Sequence, residues 1–213
     1  MIAKKIFLQF FNFTALAILM LNSATAAEKM KIVDGFEYAT LEQLKAKWTI
    51  TATGFTDHVE IRFNTKDAKE GSQCLELILP PTKADGIARI TMDIFPGIVV
   101  KDIAQVHFWL LLDNPESAGP SGLYWSDKDW ENYFANYGFR KDQHDWQKAY
   151  ASLSAFKKEK GSPDWNTVSQ MRISFWFCGS QPANRILIDE FVWDSAEEKA
   201  MMNLNREWWD YSY

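Results

Sequence analysis

Between residues 48 and 193 apolar side chains recur at every second position, and that period sets the fold. Trp48, Ile50 and Ala52 alternate with threonines, Val59, Ile61 and Phe63 with Glu60 and Arg62, and Leu75, Leu77 and Leu79 with Cys74, Glu76 and Ile78. Residues two apart on a strand point to the same side, so such runs read as half-buried β-strands. The pattern continues over 88–94, with Ile90, Met92 and Ile94 opposite Arg89, Thr91 and Asp93. It continues over 105–113, with Val106, Phe108, Leu110 and Leu112 opposite His107, Trp109 and Leu111, and over 122–126, 146–153 and 170–177. Asp67-Ala-Lys-Glu-Gly71, Pro80-Pro81, Phe95-Pro-Gly97 and Asn114-Pro115 break the runs. Ahead of the carboxy-terminal tail, helical spacing is confined to 40–47, behind Thr40 as an N-cap. Eight or nine short strands with so little helix predict an all-β fold, a two-sheet jelly-roll β-sandwich with short peripheral helices.

The last strand, Arg185-Ile-Leu-Ile-Asp-Glu-Phe-Val-Trp193, carries two adjacent carboxylates at its centre. Carboxylates in an apolar strand are unfavourable by several kcal/mol unless solvated, paired or bound to a cation. Their presence therefore needs a partner, a cation or access to solvent.

The ends have a different character. Lys4 and Lys5 precede an apolar stretch over 6–21 and small residues at Ser23, Ala24, Thr25, Ala26 and Ala27, the pattern of a secretory signal peptide cleaved after Ala26. Residues 1–26 are therefore expected to be a signal peptide, 27–195 the sandwich domain, and 196–213 a helical and aromatic tail. Cleavage leaves 187 of the 213 residues, enough for one core, and removes two lysines, moving the net charge from -5 to -7. That balance argues against nucleic acid, and against a membrane, as partners of the mature chain, since both select clustered lysine and arginine. Export predicts a secreted or periplasmic protein. The two cysteines, Cys74 and Cys178, are too few for a disulfide scaffold or a structural zinc site, and one bridge between them stays open.

Several segments occur in an order with a family resemblance. Asp34-Gly-Phe-Glu37, Asp67-Ala-Lys-Glu-Gly71 before a Leu-x-Leu strand, Trp146 leading 149–156, Asp164-Trp165, Ile173-Ser-Phe175 and Ile186-x-Ile-Asp-Glu-Phe191 resemble galactose-binding-domain-like β-sandwiches of the carbohydrate-binding-module type. The resemblance implies a structural calcium ion, held by Glu37 and Asp189 with turn oxygens from Asp67, Lys69 and Gly71. It also implies binding of a polysaccharide or glycan, with no catalytic residues.

The residues themselves offer two surfaces for such a ligand. Sugar rings stack on tryptophan and tyrosine while charged and amide groups bond their hydroxyls. If the strands 105–113 and 170–177 are neighbours, one outward face carries Trp109, Trp176, Arg172 and His107, with Arg89 and Asp93 beside them. The second surface is the loop holding Tyr124, Trp125, Asp127, Asp129, Trp130 and Tyr133. Two other functions stay open. A small extracellular polysaccharide lyase or glycoside hydrolase would draw on His107, Tyr124 and Arg172, or on Asp127, Asp129, Glu131, Asp142 and Asp145. An envelope or adhesion protein would use the aromatics against another protein.

Overall fold

The structure, a computed structural model, describes residues 30–84, 86–95, 100, 103–137, 140 and 142–195. The expected signal peptide and carboxy-terminal tail lie outside these residues. In chain order the strands are β1 (Met30–Asp34), β2 (Trp48–Thr53), β3 (Glu60–Asn64), β4 (Cys74–Leu79), β5 (Ile87–Ile94) and β6 (Ile103–Leu112), then β7 (Gly122–Ser126), β8 (Tyr133–Tyr137), β9 (Gln147–Ser152), β10 (Lys157–Lys160), β11 (Gln170–Cys178) and β12 (Asn184–Ser195). Helix α1 (Leu41–Lys47) begins at Thr40, whose hydroxyl accepts from the Gln43 amide while the Gln43 side chain accepts from the Thr40 amide, a capping box. Among the described residues no helix is long and apolar enough to cross a membrane.

The strands form two six-stranded sheets, the all-β sandwich that the alternation predicts. Sheet A runs β3-β4-β12-β6-β9, with β1 also on β12, and sheet B runs β10-β8-β7-β11-β5-β2. Alternation decides what each sheet buries. Sheet A contributes Leu75, Leu77, Val106, Phe108, Leu110, Ile186 and Ile188 to the core, and sheet B Ile90, Met92, Leu123, Met171, Ile173 and Phe175. Aromatic pairs bridge the two layers. Trp48 of β2 meets Phe191 of β12 edge-on with ring centroids 5.8 Å apart, and Trp125 of β7 meets Trp193 of β12 at 5.8 Å. Such pairs add about 0.5–1.5 kcal/mol each beyond the area they bury.

Strand β12 lies between β4 and β6, and its two carboxylates mark an irregularity. The register shifts between Asp189 and Val192, and Glu190 takes a left-handed backbone (φ 43°). Simple alternation from Ile186 and Ile188 would turn Glu190 and Val192 inward. The extra residue of the bulge turns Phe191 and Trp193 into the core instead.

Two strands lie where the alternation gives no sign of them. Strand β8 begins at Tyr133, in the loop expected to form the second ligand surface, and β10 is the Lys157-Lys-Glu-Lys160 segment. β10 pairs only with β8, all four of its residues are exposed, and it has no apolar residue to set a period. Charge on an edge strand discourages further pairing. Cys74 and Cys178 lie on different sheets, both as free thiols.

Candidate functional site

Sheet B presents one outward face on which large and small side chains are sorted by register. Strand β11 buries Ile173, Phe175 and Phe177, so Arg172, Ser174 and Trp176 point away from the core. Opposite them on β5 stand Asp93, Thr91 and Arg89, and beyond these on β2 stand Thr49, Thr51 and Thr53. On the other side β7 places Tyr124 beside Arg172 and Gly122 beside Ser174. The middle row is made of small residues, with Ser174 and Thr91 buried, while the rows on either side carry the aromatic and charged groups.

One end of this face is built around Arg172. Its Nε and Nη2 donate to the two oxygens of Asp93 at 2.6 and 2.7 Å, a bidentate pair. Its guanidinium carbon lies 3.7 Å from the centroid of the Trp130 ring. Trp130 reaches this position from the β7–β8 turn, where its backbone is left-handed (φ 59°). Asp127 fixes that turn: Oδ1 accepts from the Glu131 amide at 3.1 Å and Oδ2 from Asn132 Nδ2 at 2.6 Å. These bonds, that from Asn132 foremost, hold the Asp127 carboxyl below its usual value. Tyr133 continues the aromatic series, edge-on to Trp130 at 6.1 Å and to Tyr124 at 5.9 Å. At the other end Arg89 lies over Trp176, its guanidinium carbon 5.2 Å from the ring centroid.

The face therefore gathers Trp176, Arg172, Arg89, Asp93, Trp130 and Tyr133 from both sequence-based surfaces, and separates them from three other expected residues. Trp109 and His107 belong to β6, in sheet A, whereas Trp176 and Arg172 belong to β11, in sheet B, so the shared platform expected of them does not exist. Trp109 has Lys69 at 4.5 Å and Lys148 at 5.6 Å from its ring, and its indole nitrogen donates to Glu190 at 3.2 Å. His107 is buried, with Nδ1 3.0 Å from Asp194 Oδ2, and Gln105 Nε2 donates to the same oxygen at 2.5 Å. Burial raises the Asp194 carboxyl, but the bonds from His107 and Gln105 outweigh it and hold the group below its ordinary value. Trp125 is core and not loop, fully buried against Trp193. Its shared parity with Leu123 in the 122–126 strand is the signal that marks it as inward. The outward threonines of β2 are what sequence reasoning leaves out of the site. Their alternation is visible, but only the sheet order puts them beside β5.

The expected calcium ligands gather around the turn between β3 and β4. Asp189 Oδ2 accepts from the amides of Lys69 at 2.8 Å and Glu70 at 2.9 Å, and Oδ1 from the Glu190 amide at 2.8 Å. Glu37 Oε1 accepts from the Ser72 amide at 2.6 Å and the Gln73 amide at 3.2 Å, and the Ser72 hydroxyl donates to Oε2. Gly71 is left-handed (φ 63°), and a Cβ there would run into the Glu37 carboxylate. Asp67 pairs with Arg185 at 2.9 Å. Calcium takes roughly six to eight oxygens, yet this turn offers N–H groups to both carboxylates. Among the described residues no group of three His, Cys, Asp or Glu side chains could hold a metal ion. As placed, the residues do not fit calcium, and the two carboxylates latch the turn directly.

An open cavity of about 400 Å³ lies at the β10 edge, lined by Phe134, Lys158, Ser162, Pro163, Asp164 and Trp165. The ring of Trp165 is stacked on Phe134 at 3.9 Å.

No protein-family model matches this chain, and no curated protein does. Solved structures do. The chain is similar to the family 11 carbohydrate-binding module of a cellulosomal cellulase of Clostridium thermocellum, with a TM-score of 0.54 and 12% identity over 80% of this chain and 96% of that one. The family 11 module from the same organism, in complex with a beta-1,3-1,4-mixed-linked tetrasaccharide, gives 0.54 and 13% over 79% and 95%. A chain from work on the promiscuous specificity of carbohydrate-binding modules of the beta-sandwich superfamily gives 0.55 and 18% over 79% and 62%. At these identities the likeness is one of fold: this chain has the two-sheet β-sandwich of carbohydrate-binding modules.

Proposed function

We propose that this is a secreted, non-catalytic carbohydrate-binding protein that takes a polysaccharide or glycan on the outward face of sheet B. The observation that carries this reading is the joint placement of Trp130, Tyr133, Tyr124, Arg172, Asp93 and Trp176 on one face, around a middle row of small residues. Aromatic groups would meet the apolar faces of sugar rings, and the fixed Arg172–Asp93 pair and the threonines of β2 would bond hydroxyls. The module to which the fold is similar in complex with a tetrasaccharide supports a glycan as ligand. The amino-terminal lysines, apolar stretch and small residues support export.

Catalysis has less support. A glycosidase needs one carboxyl kept protonated near neutral pH by a raised pKa. Asp127 and Asp142 are both held low, by Asn132 and Arg140 respectively. The lyase trio is divided, with His107 on sheet A and Tyr124 and Arg172 on sheet B. A glycan array paired with a product-release assay on the positive glycans tests the proposal. Binding without turnover is expected. Turnover would make the chain an enzyme, and silence in both assays would direct the same face toward a protein partner.

A further inference from the structure

We propose that the saccharide bound here is anionic, its carboxylate or sulfate received by Arg89; this rests on the outward face of sheet B being the binding surface. The polar groups on that face are unevenly committed. On the outward sides of β2, β5, β7 and β11 the only carboxylate is Asp93, and both its oxygens are taken by Arg172. Arg89 faces the same way from two register rows further along, opposite Trp176 and Thr53. No carboxylate or carbonyl among the described residues accepts from its guanidinium. Its contact is with the Trp176 ring, the guanidinium carbon 5.2 Å from the ring centroid. A cation–π contact of this kind uses the face of the guanidinium and leaves its N–H groups available for a two-oxygen acceptor.

Beside Arg89, Ser174 Oγ and Trp176 Nε1 are buried without a hydrogen-bond partner, as are Trp125 Nε1 and Trp193 Nε1 in the core. A neutral sugar hydroxyl both donates and accepts, and the threonine and serine hydroxyls of the face can meet it in either role. On these four strands the one carboxylate is paired and a charged donor is not. An ionised carboxylate or sulfate ester accepts only, and a bidentate arginine is its strongest side-chain partner. The charged group would sit at the Trp176 end, roughly 13 Å along the strands from the Arg172–Trp130 end at about 3.3 Å per residue. A ligand spanning both ends is thus an oligosaccharide and not a single sugar.

The test uses the mature chain against alginate, polygalacturonate and a sulfated galactan, each beside its carboxyl-reduced or desulfated form, with a neutral mixed-linked β-glucan and a xylan alongside. At least one anionic polymer is expected to bind tenfold or more tighter than its neutralised form. Arg89→Gln is expected to remove that preference without moving the melting temperature, and Arg89→Lys to restore part of it. The uronate and sulfate arms decide which anion is read. Equal binding of charged and neutralised polymers, or binding of the neutral glycans alone, would overturn the anionic assignment and leave the face as the sugar site. Binding to none of the eight would overturn both. A preference that survives in Arg89→Gln would overturn the role of Arg89.

Discussion

Replacing Asp189 by alanine is expected to release the β3–β4 turn and lower stability by about 2–3 kcal/mol. Asp189 is fully buried and accepts three backbone N–H groups, from Lys69, Glu70 and Glu190. A hydrogen bond to a charged group contributes about 1.5–3 kcal/mol, so three of them suggest a larger loss. Burial opposes this. It pushes the Asp189 carboxyl above its ordinary value, and the three amides recover only part of the shift. The loss is therefore set by the amides left without an acceptor, at about 1–3 kcal/mol for a buried one. Those of Lys69 and Glu70 lie in a turn that can reach water, which keeps the total near the lower end. For a domain of this size about 1 kcal/mol moves the melting temperature by about 2–4 °C, giving a fall of roughly 5–10 °C. Asp189→Asn keeps an acceptor for both turn amides and loses mainly the bond to Glu190, so a fall of about 2–4 °C is expected. Melts followed by circular dichroism, with added calcium and with chelator, are expected to coincide for the wild type. An Asp189→Ala protein within about 0.5 kcal/mol of wild type would refute the latch. So would a melting temperature that rises with calcium, since the turn would then be presenting oxygens to a cation.

Other perturbations reach different parts of the fold. Phe191→Ala removes a fully buried ring in contact with Trp48, Phe108 and Trp193, and a loss of about 3–5 kcal/mol in urea unfolding is expected; under about 1.5 kcal/mol would show that the bulge does not pin the core. Asp194 has a folded-state pKa below its unfolded value of 3.8, so its contribution is present above that value and is lost as pH falls through the lowered one. Unfolding measured from neutral pH down to about pH 2 is expected to show a shallower acid-side loss in Asp194→Asn than in wild type, and parallel profiles would contradict the pairing with His107 and Gln105.

Much of the sandwich is legible in the alternation because a strand between core and solvent must sort its residues by parity. The inward faces of β4, β5, β6 and β11 follow directly, as does the capping box at Thr40. Sheet membership does not follow. His107 and Trp109 share an outward parity with Arg172 and Trp176, but parity is a property of one strand, and the assignment of β6 and β11 to different sheets depends on long-range pairing with β12 and β5. The bulge at Asp189 and Glu190 is half legible, since two adjacent carboxylates in an apolar strand signal an irregularity without giving its register. β10 leaves no trace because an exposed edge strand of four charged residues has no apolar face to repeat. The Arg172–Trp130 contact is equally out of reach, as it joins a strand to a turn whose geometry depends on hydrogen bonds made by Asp127.

Which sheet meets the glycan is read directly by NMR titration of the labelled protein with a bound oligosaccharide from the glycan panel. Shifts are expected at the indole signals of Trp130 and Trp176 and the amides of Thr91, Arg172 and Ser174, with Trp109 and His107 unmoved. Shifts centred on Trp109 and His107, with the sheet B signals still, would contradict binding on sheet B.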